Sequence, residues 1–312
     1  MPPPARGRVR MMRSFRARQA WVGLSFSLPA FVLFVALIIY PVVDSIRLSF
    51  FTFDIFTQAE AFVGVRNFAH VVADSNVRLA FVNDVVWTLG SLTGQIALGL
   101  VAALLIDQKH WTMIIVRQVL LMPYVVPIIA VALVWRWMLD SQFGIISYWL
   151  QQAHLLQVGQ TPLALPSAAM GTVVIMNIWR GFPFAMLIFW AALQGIDHEQ
   201  YEAAHIDGAN TWQRFRHVTL PNLRDAIITL LVLRTIWTFT YFDLIWLVTR
   251  GGPAQSTEIL PTYIYEVALG SFQFSYAAAI ATMTGLALVL LVAIAFIGRL
   301  AYAGARSALV KV

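Results

Sequence analysis

The 312-residue chain has no cysteine, which excludes disulfide bonds and thiolate metal sites and says little else about its compartment. Charge is scarce as well: Asp, Glu, Lys and Arg form 12% of the chain, against roughly 25% in soluble domains. There is no G-x-x-x-x-G-K-[ST] stretch, so the chain has no phosphate-binding loop with which to hydrolyse ATP itself. There is no H-E-x-x-H either, and His154, His198, His205 and His217 fall in expected loops without metal-ligand spacing. No catalytic group and no bound metal or cofactor is therefore expected on this chain. The longest segments expected on the external side, about 52–83 and 140–166, are too short to fold alone and are caps at most.

What the chain does have is apolar sequence. Hydrophobic residues make up 60% of it, and its mean hydropathy is +0.74. This composition reads as an all-α integral membrane protein. A bilayer core takes about 20 apolar residues per helix, and six segments qualify: 21–43, 84–106, 115–139, 167–193, 225–249 and 277–298. The first is too long for the h-region of a signal peptide and is followed by no A-x-A site, so it reads as a retained anchor.

Loop charge sets the orientation. Arg6, Arg8, Arg10, Arg13, Arg16 and Arg18 precede the first run, and the same side collects Lys109, Arg117, Arg214, Arg216, Arg224, Arg299, Arg306 and Lys311. That side holds 14 of the 21 basic residues, which places both termini in the cytoplasm. The net charge of +6 is thus a topology signal at an anionic lipid surface and not a nucleic-acid footprint. The expected divisions are a basic N-terminus at 1–20, a six-helix domain at 21–298 with a cytoplasmic loop at 194–222, and a cytoplasmic tail at 299–312.

That loop is a polar, small-residue island. Asp197 followed by Gln200, and Asn210 followed by Gln213, each have the spacing of a capping box, so two short helices are expected. Gly208 suits the left-handed turn between them, and Pro221 is expected to end the second. Glu202, Ala203, Ala204, Asp207 and Gly208 would present a slim surface to a partner, with Glu202 as its polar contact. The plainer alternative is an interfacial amphipathic hairpin.

Two further stripes lie inside the spans. Asn177, Arg180, Gly181 and Phe184 follow helical spacing on the fourth, and Arg234, Trp237, Thr238 and Tyr241 on the fifth. Aromatic rings stack on the C–H faces of sugars while Arg, Asn and Thr bond hydroxyls, so the pair suits a hydroxyl-rich ligand. Buried charge defaults to function, but a purely structural reading stays open, in which Arg180 or Arg234 pairs with Asp243. Pro183 is expected to loosen the fourth span. Tyr124, between Pro123 and Pro127, either closes the outer end of the path or packs in a kinked helix.

The loop Glu202-Ala203-Ala204 … Gly208 … Val218 … Leu220-Pro221 resembles the E-A-A-x3-G-x9-I-x-L-P coupling loop of ABC-importer membrane subunits, with Val218 in place of Ile. The tracts Leu121–Pro127, Asn177–Pro183 and Thr249–Pro253 are similar to the maltose-type subunit of carbohydrate importers. The resemblance spans nearly the whole chain and implies the type I ABC importer permease fold in a bacterial inner membrane. It carries sugar contacts onto Asn177, Arg180, Gly181, Arg234, Trp237 and Thr238, with Tyr124 beside them. It also implies the partners: a second homologous permease subunit, two ATP-binding subunits that hold ATP and Mg, an extracytoplasmic solute-binding protein, a sugar and membrane lipid. Two departures stand out, since both arginine positions are uncharged in the maltose-system subunit and its large external domain is absent here. A neutral di- or oligosaccharide is the leading substrate, with an anionic derivative such as glycerol 3-phosphate second. A stand-alone secondary carrier would need intramembrane carboxylates for ion coupling, and Asp243 is the one clearly central candidate. A membrane-anchored structural protein would leave the two stripes without a role.

Overall fold

The computed structural model describes residue 22 and residues 25–108 and 110–309. The six N-terminal arginines, Lys109 and Lys311 lie outside the described residues. The rest is a helical bundle with one small hairpin. Helix α1 (Ser25–Leu48) leads to strands β1 (Phe51–Phe53) and β2 (Glu60–Phe62), paired antiparallel with Phe51 opposite Phe62. Short α2 (Arg66–Ala73) follows. Asp74 then caps α3 (Ser75–Ile106) by accepting a hydrogen bond from the Asn76 N–H.

The expected span at 115–139 is not one helix. It is two, α4 (Thr112–Val125) and α5 (Ile128–Met138), bent by 95°. The proline ring of Pro127 keeps Val126 out of the helical region, at ψ 131°, and the chain turns there. After α6 (Ile145–Gln152) comes α7 (Pro166–Leu193). Pro183 sits inside α7, buried, and the expected loosening does not occur: the helix runs through it.

The loop helices are α8 (His198–Ile206) and α9 (Thr211–Arg214), which continues as a π turn over Phe215–Thr219 and one more turn at Leu220–Asn222. This second helix ends at Asn222, one residue past Pro221, with a turn at Leu223 before the next helix begins, as expected. The expected span at 225–249 is broken too, into α10 (Arg224–Phe239) and α11 (Asp243–Val248). Last come α12 (Leu260–Tyr265) and α13 (Phe274–Leu309), so the stretch expected as a tail from 299 continues the last helix. Four helices are long and apolar enough to cross a bilayer among the described residues, or five if the bent α4–α5 pair is one span; the expected count of six is not reproduced.

Lipid tails are as apolar as leucine, so membrane helices are held by close van der Waals contact and hydrogen bonds. The central pair is α3 against α7. Small residues allow it: a side-chain carbon on Gly94 would lie 2.2 Å from Ile178, and one on Gly99 would lie 2.6 Å from the Ala185 Cβ. Trp87, Val173, Met176, Leu244 and Ile245 fill one core beside this seam, and Ala103, Ala185, Phe189, Leu223 and Leu230 fill a second.

A buried carboxyl marks the turn between α11 and α12. Glu258 lies against Gly251 (φ +83°), where a side chain would meet its Oε2 at 2.1 Å. Its Oε1 is buried without a hydrogen-bond partner, and burial pushes its pKa up to about 7. The folded protein thus keeps a proton that the unfolded chain loses from about pH 4.5 upward. Stability should fall as pH rises from there towards 7, and hold steady above. Glu258→Gln should flatten that slope and raise the melting temperature at pH 8. A pH-melting profile of the variant parallel to wild type would contradict this.

Candidate functional site

The site is built where α3, α7 and α10 meet. Arg234, 8% exposed, donates through Nε to Gln95 Oε1 at 2.7 Å. Gln95 in turn donates through Nε2 to the Asn177 carbonyl at 2.9 Å. Gly181 leaves the space: a Cβ there would lie 2.0 Å from Arg234 Nη2 and 2.4 Å from Gln95 Nε2. Asn177, Gly181, Arg234 and Thr238 are all buried in this cluster. The Thr238 carbonyl accepts from Trp87 Nε1 at 3.0 Å, which fixes α10 against α3.

An aromatic row borders the cluster. Phe184 lies between Trp237 (ring centroids 5.3 Å apart) and Tyr124 (5.8 Å), with the Arg234 guanidinium 5.7 Å from its ring. Trp237 is 45% exposed and Tyr124 is partly exposed, so the row has an open edge. Charge, amide and aromatic faces are thus presented side by side.

Six of the seven expected contacts therefore converge: Asn177, Gly181, Arg234, Trp237, Thr238 and Tyr124. Arg180 is only half-buried and its Nε has no partner; it lies within electrostatic range of Arg234 and Tyr241. Neither arginine forms an ion pair with Asp243; ion pairs that do form include those of Arg47 with Asp44 and Glu60. Tyr241 leaves the expected stripe because α10 ends at Phe239, and it stacks on Trp87 at 6.4 Å. Gln95 and Trp87 were not singled out from sequence. A lone glutamine in a long apolar helix was the available signal.

At the far end of α3 lies the 194–222 loop. Gln194 donates to Asp107, just beyond α3, and Asn222 donates to Gln200 Oε1 at 2.8 Å. The expected capping box at Asp197 does not form: the Gln200 N–H donates to the Asp197 carbonyl at 3.1 Å, the Gln200 side-chain oxygen is taken by Asn222, and Asp197 makes no side-chain cap. The second capping box forms in full between Asn210 and Gln213. Gly208 ends α8 at φ +77° with nothing within 4 Å of its missing side chain. Glu202, Ala203, Asp207 and Gly208 are exposed, and Ala204 is half-buried.

Residues 95–302 match the family model described as the binding-protein-dependent transport system inner membrane component. The chain belongs to that family. It is the membrane permease component of an ABC importer, so the chain is a permease and not an enzyme. Among its relatives is an inner membrane ABC transporter permease protein, YcjO, of Escherichia coli K12, 34% identical over 82% of this chain and 86% of that one. The trehalose/maltose transport system permease protein MalF of Thermococcus litoralis is 32% identical over 77% of this chain and 81% of its own length. In fold, the permease is similar to a chain of a bacterial ABC transporter involved in the import of the acidic polysaccharide alginate. There the TM-score is 0.78 at 22% identity, covering 92% of this chain and 96% of that one. A second structure of a bacterial alginate transporter, in complex with its alginate-bound periplasmic protein, gives a TM-score of 0.76 at 23% identity, over 89% and 93% of the two chains. Family membership removes the stand-alone carrier and the structural anchor from consideration.

Proposed function

We propose that the permease forms half of an alternating-access pathway for a neutral di- or oligosaccharide, with the Gln95–Arg234 cluster and the Phe184 row as its sugar contacts. The observation that carries this reading is the juxtaposition of a fixed guanidinium, seated in the space Gly181 leaves, with the partly exposed rings of Trp237 and Tyr124. In this reading the maltose-type class, supported by the relative whose name includes trehalose and maltose, extends to this chain.

The surface of Glu202, Ala203, Ala204, Asp207 and Gly208 would seat in a cleft of an ATP-binding subunit. ATP and Mg belong to that subunit and its twin, and a second permease subunit completes the pathway. Both termini face the cytoplasm, and a solute-binding protein delivers sugar from the opposite side. When the ATP-binding pair closes, α8 is drawn with it. The Asn222–Gln200 and Tyr201–Thr219 bonds tie α8 to α9, and the Gln194–Asp107 bond ties the loop to α3, so the pull reaches the helix that carries Gln95.

A second reading has its own support. With Asp243 unpaired to either arginine, their charge is available to an anionic sugar derivative such as glycerol 3-phosphate. The test is ATPase activity of the complex in lipid nanodiscs with its binding protein, screened against maltose, trehalose, cellobiose, glycerol 3-phosphate and an alginate trisaccharide. Stimulation by a neutral sugar is expected; stimulation by the anionic ones alone would select the second reading, and by none would overturn both.

A further inference from the structure

A pocket lies at the opposite end of the bundle from the 194–222 loop. The full length of α3 separates them, about 48 Å for its 32 residues. Its volume is about 390 Å3, within the roughly 300–1,000 Å3 of small-molecule sites. The β1–β2 turn, α2 and the turn before α13 enclose it, and its lining alternates rings and polar groups: Phe56 and Phe272 with Asp54, Gln273 and Ser275.

Three features mark it as more than a surface dent. Phe56 is 86% exposed and stands edge-on to Phe272 at 6.4 Å. Phe272 is held at φ +56°, a strained position for a bulky residue that aims a second ring into the same space. Ser275 is 6% exposed, and its hydroxyl has no partner although it lines the pocket. The walls are already fixed, since Tyr276 donates to Asp74 at 2.7 Å and stacks on His70 at 4.4 Å.

Charge then selects among ligands. No Lys or Arg lines the pocket. The Asp54 carboxylate is held below its ordinary pKa by the Thr57 and Phe56 N–H groups, so it stays ionised and repels anions. Two aromatic rings, a spare hydroxyl, an amide and an acceptor carboxylate match the C–H faces and hydroxyls of an uncharged sugar ring.

We propose that this pocket is a second saccharide subsite, which holds one uncharged ring of the substrate before it reaches the Arg234 cluster. The proposal rests on the sugar-importer reading and adds to it a site at which neutral saccharide is preferred.

The test is saccharide binding by calorimetry to the full complex in nanodiscs without binding protein, using the same five-compound panel. Wild type should bind a neutral member at two sites. Phe56→Ala, a change at an exposed ring that leaves the core intact, should weaken one of them about tenfold, the effect of losing one stacked ring. Phe272→Ala should do the same. Trp237→Ala should weaken only the other. Binding lost in Trp237→Ala but unaltered in both phenylalanine variants overturns the subsite while leaving the importer reading intact. The same holds if the phenylalanine variants weaken only the docking of the binding protein, measured separately. No binding of any panel member at either site overturns both.

Discussion

Gly181→Val should reduce uptake about 100-fold, equivalent to about 2.7 kcal/mol, without preventing assembly of the complex. The cause is local. Even the first side-chain carbon would come within 2.0 Å of Arg234 Nη2 and 2.4 Å of Gln95 Nε2. Gln95 has nowhere to retreat, because it bridges the Asn177 carbonyl on α7 and the Arg234 guanidinium on α10. Moving it leaves a buried charged donor unsatisfied, at a cost of about 2–3 kcal/mol. Gly171→Val is the control on the same helix, since nothing lies within 4 Å of that position. Normal uptake by Gly181→Val, with the complex intact, would show that the cluster is packing and not path.

Gly208→Val and Glu202→Lys should uncouple ATP hydrolysis from transport. Basal ATPase should persist, stimulation by substrate should disappear, and uptake should fall by about tenfold or more, the rate equivalent of 1.4 kcal/mol. The space around Gly208 is open, so valine clashes with nothing in its own chain. Its effect comes from the backbone: φ is +77°, and a residue with a side chain is strained there by about 1–2 kcal/mol. Asparagine tolerates that conformation, so Gly208→Asn should retain much more coupling than Gly208→Val. Equal loss in both would point to bulk at a partner's surface, and full uptake in both would remove the loop from the coupling path.

The two stripes were legible because helical spacing is local. Asn177 and Gly181 lie one turn apart, and so do Arg234 and Thr238, and each pair faces inward as spaced. What binds the stripes together was not legible, since Arg234 and Gln95 are 139 positions apart in the chain. Pairing by charge pointed to Asp243; the geometry instead meets Arg234 with a neutral amide. Proline was an equally partial guide. Pro127 bends the chain by turning Val126 out of the helix and the second loop helix ends one residue past Pro221, whereas α7 runs through Pro183. Hydropathy has no term for such breaks, so it read the broken 115–139 and 225–249 segments as single spans. Gly208 and the Asn210 capping box, by contrast, are set by residues within four positions of each other, and both formed as read.

The most direct measurement is ATP-dependent uptake of a radiolabelled neutral saccharide into proteoliposomes holding the whole complex, with the loaded binding protein outside and ATP enclosed. Accumulation that requires ATP, and that collapses in Gly181→Val but not in Gly171→Val, is the predicted result. ATP-dependent accumulation that Gly181→Val leaves unchanged would contradict the proposed path.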